Sequence, residues 1–239
     1  MARSTPGSAA SSSDDTAGTA QQRFGWFGKL PGAGDFVSRR LPYAVQQFWD
    51  GWCAQGMDAL KASSTATGLQ VWGATPTWGF VMPAQPGVAG AQFGVLAPSC
   101  DRVGRVFPFV VAAPLVPAQQ AALLARADIL SQAWGDVVNH AQQARLGLDE
   151  LDTGLHVALA ETLTSEAEEG GEDGATLPLG LVPSSLPWAS LSHSFDPHGS
   201  ASYWWSVPAP GTGFQTRVQS GTLRAAHFLD LCRPEGSGV

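Results

Sequence analysis

The chain has 239 residues, a hydrophobic fraction of 44% and a formal charge of −7 from 13 basic and 20 acidic side chains. That is ample apolar content for a core, and without a Lys/Arg block the chain lacks the electrostatic footprint of a nucleic-acid or anionic-lipid binder. Its three cysteines include no Cys-x-x-Cys pair, which excludes a disulfide framework and a zinc site and suits the reducing cytoplasm, and no apolar run nears the roughly 20 residues of a membrane span.

Residues 1–22 are rich in Ala, Ser, Gly and Thr, lack the apolar stretch of a secretory signal, and read as a disordered tail. Residues 23–239 read as one domain. Arg23–Phe27 is a short strand candidate. It runs into FGWFGKLPGAGDFVSRRLP (Phe24–Pro42), whose glycines and prolines exclude a plain helix or strand and predict a shaped loop. Pro42–Lys61 predicts a helix, with Val45, Phe48, Trp49, Trp52, Cys53, Gly56 and Leu60 on one face. Leu69–Trp72, Trp78–Met82, Ala91–Leu96 and Arg105–Leu115 read as strands, and their short connections favour antiparallel pairing.

From Pro117 to about Ala144 the spacing predicts the longest helix, with an apolar stripe of Leu123, Leu130, Trp134, Val137, Val138 and Ala141. A second helix follows near Asp149–Ala160. Glu161–Thr176 then holds six carboxylates and reads as an acidic loop insertion that does not fit a calcium-loop template. Ser202–Val207 and Phe214–Val218 return to strand. Ser220–Leu231 closes as a helix, with Leu223, Phe228 and Leu231 buried. This order predicts an α/β (α+β) fold: a mainly antiparallel sheet flanked by helices in a layered sandwich. Several of the nine tryptophans are expected at rims or contact surfaces, because Trp is seldom fully buried.

Three segments invite chemistry. GKLPGAGD (28–35) is not a phosphate loop, because Lys29 precedes the glycines and Asp35 would repel phosphate. A turn in which Asp35 accepts from local backbone N–H groups is the expectation. APSCDRVGRVFP (97–108) is no nucleophile elbow, and Cys100 has no histidine in a recognisable motif with it. Asp101 with Arg102 or Arg105 is expected to make a salt bridge that shapes the loop. His193, His198 and Asp196 read as a solvated loop rather than a metal site. Trp204 and Trp205 sit side by side on a strand, so their rings point to opposite faces; both are core if helices cover both faces, and otherwise one is an exposed anchor. No catalytic constellation or cofactor motif emerges, which favours an interaction module over an enzyme.

FGKLPGAGDFVSRRLP, followed by FWDGWCAQGM, resembles the start of the TagF (ImpM) family of type VI secretion-associated proteins. APSCDRVGRVFPFVVAAPL is similar to that family's second signature and SYWWSV to its third. The resemblance implies a bacterial cytoplasmic accessory protein. Such a protein represses type VI secretion post-translationally by binding a forkhead-associated scaffold protein, in a threonine-phosphorylation pathway. It implies no cofactor, metal or catalytic residue. Some relatives carry a fused phosphatase domain; this chain shows no phosphatase motif and reads as a stand-alone repressor domain. The residues matching the signatures, and so the partner-binding candidates, are Gly28, Lys29, Pro31, Gly34, Asp35 and Phe36, then Asp101, Gly104 and Arg105, then Trp204 and Trp205. A second copy of the chain is a further candidate partner. Two other readings stay open. One is a hydrolase using Asp35, Asp101 and Arg105 in one cleft, which fails if the two loops lie on opposite sides of the sheet. The other is a structural subunit of the secretion assembly.

Overall fold

The stretches at 78–82, 92–97 and 109–113 are buried along their whole length instead of alternating in and out, so both faces of any sheet they form must be covered. The computed structural model describes residues 24–63, 68–164, 191–209 and 213–233. The expected tail 1–22 and residues 165–176 of the acidic insertion lie outside the described residues. The strands are β1 (Gly25–Gly28), β2 (Val37–Arg39), β3 (Trp78–Met82), β4 (Gln92–Ala97), β5 (Phe109–Pro114), β6 (Ala201–Ser206) and β7 (Thr216–Ser220). They form one sheet in the order β2-β1-β5-β4-β3-β6-β7, and every neighbouring pair is antiparallel.

Helices cover both faces, as the layered sandwich requires. On one side α1 (Tyr43–Ser63), α2 (Gly68–Ala74) and α7 (Ala225–Leu231) bury Trp49, Trp52, Met57, Trp72, Phe228 and Leu231 against Phe80, Leu96 and Trp204. On the other, α3 (Pro117–Ala125), α4 (Ala127–Ala144), α5 (Leu148–Thr164) and α6 (Leu191–Ser194) bury Leu123, Leu130, Trp134, Leu151, Leu155 and Leu191 against Phe93, Val95, Phe109 and Trp205.

This double cover overturns one expectation. All eight described tryptophans are buried, none more than 4% exposed. A two-sided core has room for bulky rings, and seven of the eight indole N–H groups find internal acceptors, the buried Trp72 Nε1 having none among the described residues. Trp49 donates to the Gln92 side chain, Trp134 to the Leu155 carbonyl and Trp205 to Ser131 Oγ.

Other differences are local. Leu69–Trp72 lies within a short helix, α2, not a strand; a four-residue segment with three apolar residues fits either period. The long helix breaks at Arg126, whose φ of −120° and ψ of 20° end α3 and begin α4. Residues 105–108 belong to a loop closed by a Cys100–Val106 bridge, so β5 starts later than expected. α5 runs to Thr164, so the first residues of the expected acidic loop are helical. α7 begins only at Ala225, with Leu223, Phe228 and Leu231 buried as expected.

Candidate functional site

Gly28 ends β1 with φ of +141°, and a Cβ there would lie 2.2 Å from the Pro108 carbonyl oxygen. Only glycine fits, so the backbone of β1 closes onto the start of β5 and the following loop leaves beside the loop that precedes β5. The two signature loops therefore meet. Ser99 Oγ donates to the Lys29 carbonyl at 2.6 Å and the Arg102 N–H to the Ala33 carbonyl at 2.8 Å. Phe36 stacks on Phe27 at 5.6 Å and meets Phe107 edge-on at 4.7 Å.

Asp101 is the hub of this junction. Its Oδ1 accepts the backbone N–H groups of Val103 and Arg105 at 3.1 and 2.9 Å. Its Oδ2 accepts Arg105 Nε at 2.6 Å and Lys29 Nζ at 3.1 Å. Burial pushes the carboxyl up, but the Arg105 N–H, then the Lys29 and Arg105 side chains and the Val103 N–H, outweigh it. The group is held well below the usual carboxylate range. Lys29 is buried as well, and its ammonium lies 5.0 Å from the centre of the Phe36 ring. Gly104, with φ of +84°, turns the loop so that its N–H reaches the Asp101 carbonyl.

The expected Asp101–Arg105 bridge is present. Arg102 instead uses its backbone N–H on the first loop. Asp35 accepts the N–H of Phe36 at 2.8 Å, the local turn bond its position predicted. Pro31 is half-buried in the same turn. Trp204 and Trp205 lie elsewhere, on opposite faces of β6 in the two cores, at 0% and 1% exposure. The hydrolase reading required the loops to share a side, and they do. Asp101, however, spends both oxygens on four donors and has no lone pair directed at an open cleft.

A second anchor escaped the sequence. Asp152 of α5 accepts Trp26 Nε1 at 2.8 Å and pairs with both Arg40 and Arg39, tying β1 and β2 to α5. Burial pushes this carboxyl up, and hydrogen bonds from Arg40 and Trp26 with the Arg40 charge pull it far below its ordinary value. A single Asp in an amphipathic helix gave no signal. The basic pair Arg39–Arg40 was the only hint that a carboxylate faced them.

The fold defines an α+β protein with one seven-stranded antiparallel sheet covered by helices on both faces, its two signature loops joined at one end. The family model described as the TagF N-terminal domain, type VI secretion system-associated, matches residues 25–158, more than half of the chain, and the chain belongs to this family. The solved structure of PA0076 from Pseudomonas aeruginosa PAO1 is similar, with a TM-score of 0.62 and 25% identity over 91% of this chain and 97% of that one. No curated protein matches. Among the described residues no helix is long and apolar enough to cross a membrane.

Proposed function

We propose that this protein restrains type VI secretion in the cytoplasm by holding a forkhead-associated scaffold component at the joined loop pair. The observation that carries the reading is the junction itself. Two segments 72 residues apart in sequence are locked by a buried ion pair, yet above that latch they leave Phe36 43% and Val103 71% exposed beside Arg102 and Arg105. Rigid loops with aromatic, aliphatic and arginine side chains outward have the composition of a protein-binding hot spot. The family's link to type VI secretion supports the setting; repression and the scaffold partner come from the resemblance of the signatures. A pull-down with the forkhead-associated protein of the same gene cluster tests it. A complex at micromolar concentrations is expected, weakened by Val103→Asp on the exposed rim, since Lys29 is buried against Asp101 and its substitution would break the latch itself; no complex with both partners folded would sink the reading.

A further inference from the structure

We propose that Arg102 and Arg105 form a two-pronged clamp for a side-chain carboxylate on an acidic, extended segment of a partner protein. Both guanidinium groups converge on Gly34. Arg105 Nη2 donates to the Gly34 carbonyl at 2.9 Å, and Arg102 Nη2 lies 3.2 Å from where a Cβ on Gly34 would be. Apart from its chain neighbours Ala33 and Asp35, only the Arg102 guanidinium comes within 4 Å of that position. Arg105 is held in place through Nε by buried Asp101, which leaves Nη1 without a partner among the described residues. The Arg102 guanidinium makes no ion pair or hydrogen bond among them either.

Planar guanidinium donors with unused N–H groups match the two oxygens of a carboxylate. Phe36 and Val103 flank the clamp and fit an apolar side chain next to the acidic one. Asp35 is the one exposed carboxylate on the two loops, Asp101 being buried, and its Oδ1 accepts the Phe36 N–H. On a chain of net charge −7 most other surfaces repel an acidic segment, so such a partner finds its register at this spot. Two guanidinium groups are too few for a nucleic-acid backbone, whose grip rests on a row of phosphate contacts.

The inference rests on the reading of the loop pair as the partner-binding face. Its test needs no scaffold protein. Fluorescence anisotropy of a labelled glutamate peptide carrying one central leucine is measured with the full chain, against the same peptide made with glutamine. Binding of the glutamate peptide is expected to weaken at least about tenfold in Arg102→Glu, the loss of a charge-assisted pair. It should be kept in Lys61→Glu, a charge reversal on α1 outside both loops, and partly recovered in Arg102→Lys. Equal binding by wild type and both reversals, equal binding of the glutamine peptide, or no binding by the wild type overturns the clamp. A failed scaffold pull-down overturns the functional reading and leaves the peptide result to decide the clamp.

Discussion

Two glycines two positions apart in one loop carry opposite demands. A Cβ on Gly32 would come 2.4 Å from the Leu146 carbonyl oxygen at the α4–α5 turn, where backbone cannot give way. A Cβ on Gly34 would meet only the tip of the Arg102 side chain, which can swing aside. Gly32→Ala is therefore expected to destabilise the protein by about 1–3 kcal/mol, as overpacking does. Gly34→Ala should stay within about 0.5 kcal/mol of wild type, as surface substitutions do. Urea midpoints of the two variants check this, and equal losses would contradict the distinction. By residue type both read as loop glycines, and the resemblance singled out Gly34 alone as a signature position. What separates them is a turn more than a hundred residues downstream, and no local pattern encodes that. The Asp101–Arg105 link, by contrast, was legible because its partners lie four residues apart. The Lys29–Asp101 link was not, because only the β1–β5 pairing brings them together.

Among the elements, those with strong apolar runs declared themselves. α1 shows its face every three to four residues, and β3, β4 and the core of β5 are dense in aromatic and β-branched side chains. β2 has three residues and no apolar run, so it passed as loop; it exists because β1 offers it a free edge and Arg39 and Arg40 reach Asp152. α2 reads as a strand because four residues, Leu-Gln-Val-Trp, are too few to show a period. The helices on the α1 side depend on one ring at their junction. Phe228 of α7 stacks on Trp72 of α2 at 5.0 Å and meets Trp52 of α1 at 5.5 Å. Gly56 of α1 exists to admit it, since a Cβ there would lie 2.2 Å from the Phe228 ring. Phe228→Ala is expected to cost about 3–5 kcal/mol and to shift tryptophan fluorescence, since two indoles lose their neighbour. A loss below about 1 kcal/mol would mean that the cavity collapses freely.

At the scale of the whole molecule, acid should be the weak side. Asp101 and Asp152 both have folded-state pKa values far below their unfolded ones, so the unfolded chain takes up their protons first. Their stabilisation is complete above the ordinary carboxylate pKa of about 4 and is lost as pH falls below it toward the folded values. Unfolding midpoints should be flat from about pH 7 to 5 and drop steeply below about pH 4. Asp101→Asn and Asp152→Asn should each lower the neutral midpoint and flatten that drop; an unchanged acid slope would place the sensitivity in other carboxylates. On the alkaline side, burial pushes the Cys232 thiol up to about 11, against a hydrogen bond from Thr75 that lowers it. The unfolded thiol ionises first, so a smaller loss is expected as pH rises above about 9.

The way α1 and β3 meet α7 also governs how the protein can be made. Trp52 donates its indole N–H to the Arg224 carbonyl and Trp78 donates to that of Leu231, across 172 and 153 residues of sequence. A ribosome adds roughly 5–20 residues per second, so these rings emerge on the order of 10 to 30 seconds before their acceptors exist. Through that interval the α1 face lacks its last helix and β3 lacks β6, leaving an open apolar surface and an unpaired strand edge on the nascent chain. That is the kind of half-built surface chaperones recognise. The protein's folding in the cell is thus paced by translation of the stretch from β6 to α7, which follows the two joined loops by about a hundred residues.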